Sequence, residues 1–87
     1  MPTTDRFKRL GAVIKEQREF CAMSHAQVAA GVGCSAKSIY RYELGHGAGM
    51  SLRHLVAIAD VLELEVSELW GMVDGYEVVS IEGGEAK

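Results

Sequence analysis

Apolar side chains recur along the first 70 residues at the three- and four-residue spacing that places them on one face of a helix. The first such face lies opposite charged positions and comprises Phe7, Leu10, Ile14 and Cys21. This pattern predicts a first helix over residues 4–20. A nearly continuous apolar stretch over residues 52–62 predicts another helix, buried on more than one side.

Two short helices between these are marked by the serines that precede them. Ser24, with Gln27 three residues further on, has the pattern of a capping box, in which each side chain bonds the other residue's backbone. Ser35 is placed to cap a third helix that ends at Leu44. Between them, Gly33 can adopt the positive φ that a steep turn between helices requires. The sequence therefore predicts two short helices joined by a tight turn.

The C-terminal part of the chain has a different pattern. Residues 66–70 predict a last short turn of helix, and Asp74-Gly75 is a dipeptide typical of turns. Residues 76–81 are rich in β-forming side chains, so we predict one β-strand there. The glycine-rich end, residues 83–87, is predicted to be disordered.

Length and composition favour one small domain without a membrane segment. The chain has 87 residues, and a domain of this size has a modest core that dimerisation would enlarge. No apolar run approaches the roughly 20 residues that span a bilayer, and the N-terminus lacks the apolar stretch of a signal peptide. We therefore expect a cytoplasmic protein. Cys21 and Cys34 have no metal-binding spacing, so we expect two buried apolar side chains, no metal and no cofactor.

The net charge of −3 conceals a strong asymmetry along the chain. Residues 1–53 carry eight basic and four acidic side chains, whereas residues 54–87 carry one basic and eight acidic side chains. Such a distribution indicates an anion-binding end and an acidic end.

The pair of short helices meets the packing requirements of a helix-turn-helix. Its two helices must cross closely, so their contact residue must be small, as Ala29 is, and the turn must bend sharply, as Gly33 allows. Apolar residues must hold the angle from beneath, and the candidates are Val28, Val32, Ile39 and Tyr42. One face of the third helix then remains free to enter a DNA major groove.

Residues 10–70 resemble the Cro/lambda-repressor-type helix-turn-helix domain, the Xre family. The resemblance is carried by Leu10-Gly11, Ile14, Arg18, Ser24, Val28-Ala29, Val32-Gly33-Cys34-Ser35, Ser38-Ile39, Glu43-Leu44-Gly45, Leu55, Ile58-Ala59, Leu62 and Glu68-Leu69-Trp70. It implies an all-α, five-helix, lambda-repressor-like DNA-binding domain over residues 1–71. Residues 72–87 are predicted to be a C-terminal extension that is prone to form a strand and then disordered.

The resemblance also implies which residues contact DNA. At the base-reading positions of the third helix, about residues 35–44, stand Ala36, Lys37 and Arg41. Lys37 and Arg41 can donate to guanine, and Ala36 can contact a thymine methyl. The residues placed to contact the DNA backbone are His25, Ser35, Ser38 and Tyr40.

A structural ion pair and two departures complete the comparison with this family. The family pairs an arginine late in the first helix with a glutamate late in the third, here Arg18 and Glu43. His25 stands where many members have glutamine, and Glu63 replaces the usual glycine between the fourth and fifth helices. Gly31 should weaken the end of the second helix by about 1 kcal/mol relative to alanine.

These features predict a repressor-like transcriptional regulator, bacterial or phage-encoded, that binds double-stranded DNA at a palindromic operator as a homodimer. The alternative is an antitoxin or protein-interaction module that binds a partner protein through its acidic C-terminal segment and autoregulates. No catalytic arrangement is recognisable around the three histidines, so we expect no enzymatic activity.

Overall fold

Five α-helices and one 3₁₀ turn follow one another in residues 3–85, the part of the chain whose backbone the computed structural model describes; side chains are described for residues 6–75. The helices are α1 (Thr3–Phe20), α2 (His25–Val32), α3 (Ala36–Glu43), α4 (Leu52–Val61) and α5 (Val66–Glu85), with the 3₁₀ turn at Gly47–Gly49. The predicted all-α, five-helix fold is confirmed.

Serine caps set the beginnings of the three central helices, and two of them are the predicted Ser24 and Ser35. At α2 the capping box is complete: the Gln27 N–H donates to Ser24 Oγ over 3.1 Å, and the Ser24 N–H donates to Gln27 Oε1 over 2.7 Å. Ser35 Oγ accepts from the Ser38 N–H, and Ser51 accepts from the fourth helix in the same way. Each cap satisfies a backbone donor that the first helical turn leaves unpaired.

The core lies where α1, α4 and α5 meet the α2–α3 pair. Side chains from all five helices are buried in it, namely Leu10, Val13, Ile14, Val28, Ala29, Ile39, Ile58, Ala59, Leu62, Leu69 and Val73. The apolar face predicted for α1 is correct except at Cys21. Cys21 follows directly after the end of α1 and is exposed, contrary to the expectation of burial.

Two glycines allow helices to approach closely. A Cβ at Gly11 would lie 2.4 Å from the carbonyl oxygen of Tyr42 and 2.5 Å from that of Glu43, so α1 meets the backbone of α3 there. A Cβ at Gly31 would lie 2.5 Å from Val61 Cγ2 on α4. Gly31, which the sequence indicated only as a weak helix former, is therefore required by the α2–α4 contact.

The strand predicted over residues 76–81 is wrong, because α5 continues without interruption to Glu85. The proposed boundary between residues 71 and 72 falls inside this helix, as do residues 83–85 of the segment expected to be disordered; residues 86 and 87 lie outside the described residues. β-propensity depends on a neighbouring strand, and the described residues contain none. Leu69 and Val73 are buried on α5, and each residue added to an established helix gains a hydrogen bond.

No helix within the described residues is both long enough and apolar enough to cross a membrane.

Candidate nucleic-acid interface

A glycine turn sets the angle between α2 and α3. Gly33 has φ +90°, and the N–H groups of Gly33 and Cys34 both donate to the Ala29 carbonyl, over 2.7 and 3.1 Å. Ala29 and Ile39 are buried at the crossing of the two helices. The left-handed turn that only glycine adopts without strain therefore ends α2 and directs the chain into α3.

The face of α3 opposite the buried Ile39 is open to solvent. Ala36, Lys37, Tyr40 and Arg41 are all exposed on this face. It carries the three residues predicted to read bases, with Tyr40 beside them. The structure thus brings these four side chains together on the surface of one helix.

Ser35 and Ser38, two of the predicted backbone contacts, stand at the beginning of α3. Their hydroxyl oxygens are 3.1 Å apart, and Ser35 Oγ also accepts from the Ser38 N–H. Ser35 is exposed and Ser38 is half-buried. Both hydroxyls therefore serve the N-cap, and Ser35 is the more accessible of the two.

Arg18 and Glu43 form a buried ion pair between α1 and α3. Arg18 Nε donates to Glu43 Oε2 over 2.6 Å and Nη2 donates to Oε1 over 3.2 Å, while Nη1 donates to the Met23 carbonyl over 2.9 Å. The Glu43 side chain is only 4% exposed. The hydrogen bonds to Glu43 raise the pKa of Arg18, although burial alone would lower it. The pair fixes the last turn of α3 against α1, and its guanidinium also holds the segment that leads into α2.

His25 is a third member of this cluster, and the sequence did not indicate it. Its Nε2 lies 3.0 Å from Glu43 Oε1, and its ring meets the edge of the Tyr40 ring with centroids 5.6 Å apart at 89°. His25 was predicted only as a contact to the DNA backbone. The one signal in the sequence was its departure from the family's glutamine, because nothing in chain order shows that the first residue of α2 meets the last turn of α3.

Two further contacts attach α3 and α1 to the rest of the domain. The Tyr42 hydroxyl and His54 Nδ1 are 3.1 Å apart, which links α3 to α4, and burial raises the pKa of Tyr42. Arg6 forms an ion pair with Asp74 over 2.9 Å and lies over the Trp70 ring, which links the beginning of α1 to α5. The Tyr42–His54 contact helps to hold α3 against α4.

No group of three or more histidine, cysteine, aspartate or glutamate side chains in the part of the chain that the structure describes could hold a metal ion.

The short helices, their glycine turn and the open face of α3 define a helix-turn-helix domain, the class of fold that places its second helix in the DNA major groove. A family model described as "Helix-turn-helix domain" matches residues 9–69. The chain therefore belongs to the helix-turn-helix domain family.

Among the solved structures that are similar to this chain are an iron(II) form of HppE in complex with substrate and the hydroxypropylphosphonic acid epoxidase from S. wedmorenis. Each has 28% identity to this chain and a TM-score of 0.67. The match covers 72% of this chain but only 36% and 33% of those chains, so the chain spans about a third of their length. The comparison with curated proteins finds no significant match.

Proposed function

We propose that this protein is a sequence-specific, repressor-like transcriptional regulator of the Cro/lambda-repressor type that inserts α3 into the major groove of double-stranded DNA. The observation that carries the proposal is the exposed face of α3, where two cationic side chains stand on a helix held by a glycine turn and a buried ion pair. A rigid helix is needed because base readout depends on hydrogen-bond geometry.

Each predicted contact has a role that its position supports. Arg41 donates two hydrogen bonds to a guanine and Lys37 donates to a neighbouring base, while Ala36 contacts a thymine methyl. Tyr40 and Ser35, both exposed, donate to phosphates on either side of the reading face. Ser38 contributes to the same end of α3 mainly through the N-cap.

We propose that the protein acts as a homodimer on a palindromic operator, since two copies of α3 about 34 Å apart match successive major grooves. Exposed apolar side chains support association with a second copy. Leu52 is 73% exposed on α4, and a groove beside it is lined by Phe7, Met50, Leu55 and Trp70.

In-vitro selection from random duplex DNA tests the proposal, with wild type compared with Lys37→Ala and Arg41→Ala. We expect a palindromic consensus that relaxes at one position per half-site in each variant, at a cost of about 1–3 kcal/mol. Arg53→Ala is the matched control, because it removes an equal charge from α4 and should change no base preference. Binding that is independent of sequence and steeply dependent on salt would show phosphate attraction alone and refute the proposal.

A second candidate is a protein-interaction module, for example an antitoxin that binds its partner through the acidic C-terminal segment. The observations in its favour are the eight acidic side chains of residues 54–87 and the likeness to a region of enzyme chains about three times as long. This second candidate would be favoured if the folded protein selected no preferred sequence from random duplex DNA. Purification from the native host without any stoichiometric partner would count against it. Neither candidate assigns an enzymatic activity to the chain.

A further inference from the structure

The His25 side chain occupies the junction between the proposed phosphate contact and the buried ion pair. It is 34% exposed, so one edge of the ring reaches solvent while Nε2 lies 3.0 Å from Glu43 Oε1. The same carboxylate accepts two hydrogen bonds from Arg18. Nδ1, the other ring nitrogen, hydrogen-bonds to none of the described residues.

The contact between His25 and Glu43 determines which tautomer the His25 ring adopts when it is neutral. Glu43 is ionised, since it neutralises a buried guanidinium, and an ionised carboxylate can only accept hydrogen bonds. His25 must therefore donate through Nε2–H. A neutral imidazole has one N–H, so its Nδ1 is then a lone-pair acceptor. In this state the ring has no donor left for a phosphate, which is itself only an acceptor.

Protonation changes what the ring can do. The imidazolium has two N–H groups, so Nε2–H can remain on Glu43 while Nδ1–H donates to a phosphate oxygen. Imidazoles ordinarily gain this proton between about pH 5 and 8.

The charged side chains around the His25 ring determine the net charge that a DNA phosphate would encounter at this position. The groove at this site is lined from α1 by Lys15, Arg18 and Glu19, and from α3 and the residue after it by Tyr40, Glu43 and Leu44. The formal charges of its two cations and two carboxylates cancel. The charge of the cluster is therefore zero with a neutral ring and +1 with an imidazolium, and only the second state attracts a phosphate at this position.

We propose that His25 is a proton-dependent phosphate donor, held by Glu43, that makes DNA binding tighter as the pH falls. The inference rests on the proposed DNA-binding function and adds its regulation by protons. In this arrangement Glu43 positions His25, and His25 contacts the DNA backbone. A glutamine at this place would donate at every pH, so the histidine is what makes the contact conditional.

The first experiment requires no DNA. Long-range ¹H–¹⁵N NMR correlation on the imidazole rings of the wild-type protein identifies the tautomer of each neutral histidine. We expect the neutral His25 ring to carry its proton on Nε2. A proton on Nδ1 would overturn the proposal, because that ring could donate to a phosphate without being charged.

The second experiment measures the dissociation constant by fluorescence anisotropy at fixed ionic strength from pH 5.5 to 8.5. Two duplexes are used, the selected operator and a 20-base-pair duplex of scrambled sequence, since phosphate contacts are independent of sequence. We expect wild type to lose about tenfold in affinity per protomer for both duplexes as the pH rises, the effect of one charge-assisted hydrogen bond. His25→Gln should give a flat profile.

His46→Gln is the matched control, because His46 is exposed in the loop after α3 and lies outside the cluster. It should keep the wild-type pH dependence. Thermal unfolding of each variant across the pH range verifies that the folded protein is being measured. A flat wild-type profile, or a slope that persists in His25→Gln, overturns this inference even where the operator is selected. If the wild-type protein does not bind the operator more tightly than the scrambled duplex at any pH, that result instead overturns the proposed function.

Discussion

Replacing Gly31 by alanine tests the packing of α2 against α4, because two effects of opposite sign meet at this residue. Alanine in place of a helical glycine stabilises by about 1 kcal/mol. The added Cβ, however, would lie 2.5 Å from Val61 Cγ2, well inside van der Waals contact. Overpacking of this kind costs about 1–3 kcal/mol, since a β-branched side chain has few rotamers in a helix to which it can move. The expected net effect of Gly31→Ala is a destabilisation of about 0–2 kcal/mol.

A second substitution separates the two effects. The other two Val61 atoms near the added Cβ are 3.7 Å away, so the clash involves one methyl group. Val61→Ala alone removes two methyl equivalents from a half-buried side chain and should cost about 1 kcal/mol. In the double variant the clash disappears, the new Cβ fills part of the vacated space and the gain in helix propensity remains. We therefore expect the double variant to be within about 0.5 kcal/mol of wild type.

Urea unfolding of the four proteins, followed by circular dichroism, gives the coupling energy directly. We expect the free energy of unfolding to depend on urea concentration with the same slope in all four proteins. We expect the two substitutions together to be about 1–3 kcal/mol less destabilising than the sum of their separate effects. The proposed clash would be refuted if the effects of the two substitutions on the free energy of unfolding were additive within about 0.5 kcal/mol. It would also be refuted if Gly31→Ala alone stabilised the protein by the full gain in helix propensity, about 1 kcal/mol. Either result would mean that α2 and α4 have room that the structure does not show.

Three further substitutions test other parts of the fold. Gly11→Ala should destabilise by about 3 kcal/mol, because its Cβ meets the α3 backbone and no side chain can move aside. Thermal unfolding should show this loss, and a near-neutral effect would contradict the close α1–α3 approach. Glu63→Gly should stabilise by up to about 1 kcal/mol, since Glu63 has φ +62°, and urea unfolding that shows a loss would contradict the assigned strain. Arg18→Met should cost about 3–5 kcal/mol by leaving the Glu43 charge buried without its guanidinium partner. Arg18→Met combined with Glu43→Met should recover most of this loss in the same assay, and equal losses in both proteins would argue against an uncompensated charge.

The features that the sequence predicted well depend on local chemistry. A serine hydroxyl that caps the next helix acts within three residues, so Ser24 and Ser35 could be assigned from their neighbours alone. Gly33 was assigned in the same way, because a residue with φ +90° favours glycine whatever surrounds it. The fold class followed from these local signals together with the helical spacing of the apolar residues.

The features that the sequence did not predict depend on contacts between distant residues. Gly31 has a low helix propensity, and only the position of Val61 on another helix explains why alanine is unsuitable. The strand predicted over residues 76–81 failed for a related reason, since β-propensity describes a fit to neighbouring strands and α5 has none among the described residues. The sequence marked Glu63 only as a departure from the family's glycine, and its φ of +62° shows the strain at the end of α4.

The cluster of His25, Arg18 and Glu43 combines an ion pair that the sequence predicted with a histidine contact that it did not. Its three members come from α2, α1 and α3. The ion pair holds the end of α3 while the histidine stands on the side that DNA would approach. Removal of Arg18 should therefore reduce stability and binding together, since α3 loses its support. Replacement of His25 by glutamine should change only the pH dependence of binding, because the buried charges remain paired. Comparison of the two variants thus separates the support of the recognition helix from the phosphate contact at its edge.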